Sequence, residues 1–114
     1  MGPPPAWVET DAGDQWLAYS SFCWFTGTAG VCADYIPPRL RTDLPRIVVA
    51  RGATVWIHLG FIPNEVSVTI GQIPVAVERS RILELRVRRS GILYVTALHA
   101  RKGDAGYTAR IVVR

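Results

Sequence analysis

From residue 44 onward, apolar and polar residues alternate along the chain with a period of two. Residues 54–59 place Val55, Ile57 and Leu59 on one side of the chain and polar or amphipathic residues on the other. Such alternation is typical of a β-strand with one buried face. Further strands are predicted from similar alternation or short apolar stretches at residues 47–49, 66–70, 73–77, 83–87 and 107–113.

Residues 92–98 are apolar at both parities, which predicts a central strand covered on both sides. Turn-forming residues separate the predicted strands, as at Arg51-Gly52-Ala53 and Gly71-Gln72. No window of ten or more residues combines helical periodicity with capping residues. We therefore predict an all-β fold, an immunoglobulin-like antiparallel β-sandwich of about seven to nine strands. A small β-barrel is the alternative.

The N-terminal third is richer in aromatic residues and holds both cysteines. Cys23 and Cys32 are separated by a segment that contains Gly27 and Gly30, so a tight turn could bring them together. A disulfide here would stabilise the fold by about 2.5–3 kcal/mol in the chain-entropy model. A zinc site would need four ligands, and a thioredoxin-like centre would need Cys-x-x-Cys. A disulfide that staples an aromatic hairpin over 16–34 is favoured, in an oxidising compartment; two buried free thiols are the alternative.

The length of 114 residues fits one domain. We predict a flexible, Pro-rich lead-in over residues 1–15 and a single β-sandwich domain over residues 16–114. The lead-in lacks the features of a signal peptide, and Pro3–Pro5 would suit the stiff end of a tether. No apolar run approaches the roughly 20 residues that span a bilayer. Membrane attachment would therefore need an anchor outside this sequence.

The net charge is +4, and twelve of the thirteen basic residues lie after residue 40. Trp56 and His58 fall on the polar parity of their predicted strand, and Arg86 and Arg88 on that of theirs. Aromatic and arginine side chains together are typical of binding hot spots and polyanion contacts. These four residues form a candidate binding face. The alternatives are a solvated strand face and a secondary core, in which the N-terminal aromatic segment covers Trp56.

A resemblance adds to this interpretation. Ser21-Phe22-Cys23-Trp24 and Gly30-Val31-Cys32-Ala33-Asp34 resemble the Ser-Tyr-Cys-Trp…Gly-Val-Cys-x-Asp signature of small exported bacterial proteins and lipoproteins, with Phe22 in place of the usual tyrosine. The resemblance covers most of residues 16–113. It implies a β-fold and an extracytoplasmic location, secreted or anchored at the bacterial cell surface. It supplies no catalytic residue.

Candidate chemistry is sparse. The only imidazoles are His58 and His99, and no serine lies in a Gly-x-Ser-x-Gly elbow. A blue-copper site would need two histidines, a cysteine and usually a methionine, and the sole methionine is Met1. We therefore predict no catalytic residue, no metal and no cofactor.

The favoured function is a non-enzymatic exported module that binds a protein or an acidic envelope polymer, or forms a structural part of a surface assembly. Nucleic acid is disfavoured as a partner, because an exported disulfide protein would rarely meet it. The alternative is a small envelope enzyme or metal carrier that uses His58 and His99. The oligomeric state is left open.

Overall fold

The computed structural model describes residues 2–114, except for the side chains of residues 76–78. This part of the chain forms twelve β-strands and one 3₁₀ turn at Pro38–Leu40. It contains no helix that is long and apolar enough to cross a membrane. The strands are β1 (Trp7–Thr10), β2 (Gly13–Trp16), β3 (Ala18–Tyr19), β4 (Phe22–Thr26), β5 (Ala29–Ala33), β6 (Arg46–Val49), β7 (Ala53–His58), β8 (Glu65–Ile70), β9 (Ile73–Glu78), β10 (Ile82–Val87), β11 (Gly91–His99) and β12 (Gly103–Val113).

The strands form two sheets, which confirms the predicted all-β sandwich. The smaller sheet has the order β10-β7-β1-β2. The larger sheet has the order β5-β4-β12-β11-β8-β9, and β3 and β6 also pair with β12. All pairs are antiparallel except β6 and β12. The sheets do not close into a barrel, so the alternative fold is not observed.

One apolar core lies between the sheets. It is built from the residues that alternate inward along each strand, as the sequence pattern predicts, and burial of these side chains is the main favourable term in folding. The largest fully buried side chains are those of Tyr107, Ile57, Leu59, Ile70, Leu83, Leu93, Ile111, Val8, Val55, Val66, Val68 and Val87.

The strand covered on both faces is β12, and the prediction that assigned this role to residues 92–98 is wrong. In β11 only alternate residues are buried, whereas residues 105–109 of β12 are buried without exception. Ser20–Ser21 links β3 to β4 beside β12, so closely that a Cβ at Gly106 would lie 2.7 Å from the Ser21 carbonyl oxygen. This neighbouring segment is distant in sequence, so the apolar pattern of a single strand does not reveal it.

The predicted turn between the sixth and seventh strands is present. Ala53 N donates to Ala50 O at 3.0 Å, and Gly52 adopts a positive φ of 80°. The two strands do not form a hairpin, however. β6 lies in the larger sheet beside β12, whereas β7 lies in the smaller sheet. The turn therefore carries the chain from one sheet to the other.

The N-terminal residues depart from the predicted lead-in. Trp7–Thr10 pairs with β7, and Val8 is fully buried in the core. The hydroxyl of Tyr107 donates to Pro4 O at 2.6 Å, and that of Tyr19 donates to Pro3 O at 2.6 Å. The domain therefore extends to the Pro-rich segment, and the boundary at residue 16 needs correction. The Pro-rich segment packs against the domain instead of forming a tether.

The predicted disulfide hairpin is confirmed. Cys23 on β4 lies directly opposite Cys32 on β5, with their Cα atoms 4.0 Å apart, and the two are bonded. This disulfide is consistent with an extracytoplasmic location. The hairpin is shorter than the predicted aromatic segment, because Trp16 belongs to β2 in the other sheet.

Candidate binding face on the smaller sheet

The outer face of the smaller sheet carries an unusual concentration of tryptophan and carboxylate side chains. Residues opposite one another in neighbouring strands share a face, so the strand register defines rows across the sheet. The first row is Ile82, His58, Trp7 and Trp16, and the second is Glu84, Trp56, Glu9 and Asp14. We call these eight residues the tryptophan face.

The aromatic rings of the first row contact one another. The Trp7 ring stacks on His58, with centroids 4.8 Å apart and planes 6° apart. Trp16 meets Trp7 edge to face at 5.6 Å and 74°. Trp16 is 62% exposed, although large aromatic side chains are usually buried. The row is therefore an ordered aromatic surface that is open to solvent.

Hydrogen bonds orient the polar groups of the face. His58 Nε2 lies 2.9 Å from Glu9 Oε1, so the imidazole is held by both Trp7 and a carboxylate. Trp56 Nε1 donates to Glu84 Oε1 at 3.2 Å. Both bonds join neighbouring strands, so the side chains are positioned before any ligand arrives.

Beside Trp7 and Trp16 lies an open groove of about 250 Å³, which Asp14 and Gln15 also line. Two indole rings nearly at right angles form its apolar walls, and a carboxylate lies at its edge. Such a mixture of aromatic surface and few polar groups is common in ligand sites.

The structure brings together three of the four residues of the predicted binding face. Trp56 and His58 lie on β7, and Arg86 follows Glu84 on the same side of β10. Arg88 is exposed but lies one residue beyond the end of that strand.

The N-terminal aromatic segment does not cover Trp56. Residues 18–26 lie in the larger sheet, and the neighbours of Trp56 in the register are Glu9 and Glu84. Trp56 is consequently half-buried between these two carboxylates and faces outward.

Sequence reasoning missed the contribution of the first two strands. Trp7, Val8 and Thr10 are residue types that favour strands, and Gly13 follows in a short turn, which together form a weak hairpin signal. The nearby prolines and acidic residues obscure that signal, because they are also typical of a flexible segment.

His99 has a different environment from His58. Its Nδ1 accepts backbone hydrogen bonds from Arg101 at 3.1 Å and Lys102 at 3.2 Å, and its ring packs against Trp24 and Phe61. It thereby stabilises the turn between β11 and β12. The two histidines lie in different sheets and share no hydrogen-bond partner.

Metal-ligating side chains do not cluster in the part of the chain that the structure describes. Within residues 2–114, apart from the side chains of 76–78, no three or more His, Cys, Asp or Glu residues are grouped to hold an ion.

A second concavity lies on the outer face of the larger sheet. It has a volume of about 350 Å³ and lies between the Pro37–Arg39 segment and the side chains of Ile92 and Tyr94. It holds fewer aromatic and charged groups than the tryptophan face, and we do not assign it a ligand.

Comparison with known proteins gives no relative. No protein-family model, no curated protein and no solved structure matches this chain. Its function must therefore be argued from its own side chains.

Proposed function

We propose that this protein is a non-enzymatic binding module, secreted or anchored at the bacterial cell surface, whose tryptophan face binds a polymer of the cell envelope. One observation carries the proposal: three of the four tryptophans of the chain lie together on one outward-facing surface. Tryptophan is enriched among the residues that dominate binding energy.

The shape of the face favours an extended ligand. The two rows cross four strands, which at about 4.8 Å between strands gives a length of about 14 Å. The face is open along this length, whereas sites for isolated small molecules usually enclose most of the ligand. A polymer could contact Trp16 and Trp56 at once.

The order of the side chains also supports binding. Trp7 is held by His58, and Trp56 is held by Glu84. A surface that is already ordered loses less conformational entropy when a ligand binds, and more of the contact energy then appears as affinity.

The disulfide supports the proposed location. Cys23–Cys32 would be maintained in an oxidising compartment, where envelope polymers are also found. The resemblance of the segment around both cysteines to exported bacterial proteins and lipoproteins is in agreement with this location.

The proposal is tested by co-sedimentation with purified bacterial cell walls. Trp16→Ala and Trp56→Ala should each lower the affinity for the walls about tenfold, which corresponds to a loss of binding free energy on the order of 1.4 kcal/mol. Phe25→Ala is the matched control, because Phe25 is an exposed aromatic residue in the other sheet.

The variants must be compared at equal folded fraction, measured by thermal unfolding. The proposal fails if the unaltered protein does not sediment with the walls. It also fails if both tryptophan variants sediment as well as Phe25→Ala.

A further inference from the structure

The tryptophan face has the opposite sign of charge from the molecule that carries it. Its two rows contain the carboxylates Glu9, Asp14 and Glu84 and no lysine or arginine, although the chain has a net charge of +4. On the same side of the sheet, Arg86 lies two residues along β10 from Glu84. The local charge therefore opposes an acidic ligand and attracts a cation.

The indole rings favour the same ligand charge. A cation over an aromatic face is attracted by the negative potential of the ring, and tryptophan gives the strongest attraction. In the groove, Trp7 and Trp16 present two rings at 74°, and Asp14 lines the same groove. An ammonium group could thus contact a ring and lie near a carboxylate at once.

We infer that the polymer bound by the tryptophan face is a cationic glycan, that is, a polysaccharide whose sugars carry free ammonium groups. This inference rests on the proposed function and specifies its ligand. The C–H face of a pyranose ring would stack on Trp16 or Trp56, while its ammonium and hydroxyl groups would donate to Asp14 and Glu84. An acidic polymer would be repelled by those carboxylates.

The test compares two soluble oligosaccharides with the same sugar backbone, whose amino groups are free in one and acetylated in the other. The β-1,4-linked hexamer of glucosamine is cationic at about pH 6, whereas the N-acetylglucosamine hexamer is neutral. We expect calorimetry at low salt to give at least tenfold tighter binding of the glucosamine hexamer. In about 1 M salt, where the Debye length is about 3 Å, this preference should shrink severalfold.

Charge-removing variants locate the effect. Asp14→Asn and Glu84→Gln should each weaken binding of the glucosamine hexamer severalfold and leave binding of the N-acetylated hexamer unchanged. Asp34→Asn is the matched control, because Asp34 is exposed and lies just after β5, in the other sheet. It should bind both hexamers like the unaltered protein.

The possible outcomes separate this inference from the proposed function. Equal or tighter binding of the N-acetylated hexamer would overturn the cationic ligand and leave a glycan-binding face. If neither hexamer binds but the protein still sediments with cell walls through Trp16 and Trp56, only the inference is overturned. If the unaltered protein does not sediment with cell walls, the proposed function itself is overturned.

Discussion

At the scale of single residues, Tyr107 connects the N-terminal segment to the centre of the larger sheet. It is fully buried, and its hydroxyl donates to Pro4 O at 2.6 Å. Burial raises the pKa of Tyr107 above its ordinary value of 10.0, since the phenolate would have to lie in an apolar core, and the nearby Tyr19 raises it further. The phenol therefore stays protonated in the folded protein at alkaline pH.

This raised pKa predicts a loss of stability at high pH. Below about pH 10 both folded and unfolded Tyr107 hold their proton, so this residue gives no pH dependence. Above it the unfolded chain releases the proton first, and the free energy of unfolding should fall by as much as about 1.4 kcal/mol per pH unit. Urea unfolding between pH 8 and 11 measures the slope.

Tyr107→Phe should reduce that alkaline slope and lower stability at neutral pH by about 1–2 kcal/mol, because the hydrogen bond to Pro4 is lost. Tyr35→Phe is the control, because Tyr35 is 40% exposed, and it should change neither quantity appreciably. An alkaline slope as steep in Tyr107→Phe as in the unaltered protein would contradict this account.

The residues of the tryptophan face show which features of a site a local sequence pattern can predict. The parity of Trp56, His58 and Arg86 within their strands is a property of a few neighbouring residues, so the sequence predicts which way they face. The proximity of Trp7 and Glu9 to His58 and Trp56 depends on the pairing of β1 with β7, which lies some fifty residues away in the sequence. No period in the sequence encodes that pairing.

At the scale of elements, the same distinction separates strands from sheets. Seven predicted strands of the later chain are present as β6 to β12, and the β4–β5 hairpin is present as well. The sheet to which each strand belongs cannot be predicted in the same way. The four-residue turn between β6 and β7 has the same sequence features whether it joins hydrogen-bonded strands of one sheet or connects strands of different sheets. The folding of residues 7–16 into the smaller sheet also depends on distant partners.

The disulfide hairpin gives a prediction at this scale. The double variant Cys23→Ala, Cys32→Ala should lose about 2.5–3 kcal/mol of stability, because the unfolded chain gains the entropy of the opened loop. It should still unfold cooperatively, since the hairpin is at the edge of its sheet and the remaining strands build most of the core. Urea unfolding followed by circular dichroism measures both properties.

Reduction of the unaltered protein should reproduce the loss, and Cys32→Ala alone should resemble the double variant. A double variant without a cooperative transition would show that the hairpin is needed to form the sandwich. A double variant as stable as the parent would show that the crosslink contributes nothing.

At the scale of the whole molecule, charge and aromatic surface are distributed unevenly. A protein with a net charge of +4 presents three carboxylates and three indoles on the outer face of its smaller sheet. Apolar side chains exposed as a group, unlike isolated ones, usually mark an interaction surface. The larger sheet would then hold the smaller one in a fixed, twisted shape.

The central claim is that ligands bind on the tryptophan face, and the four indole N–H signals in a ¹H–¹⁵N spectrum test it most directly. Trp7, Trp16 and Trp56 lie on the face, whereas Trp24 is 3% exposed and serves as an internal reference. Each signal is assigned by a Trp→Phe replacement, and the protein is titrated with soluble fragments of purified cell walls. We predict shifts for the three face tryptophans and none for Trp24. Four unchanged signals, or a shift confined to Trp24, would contradict the account.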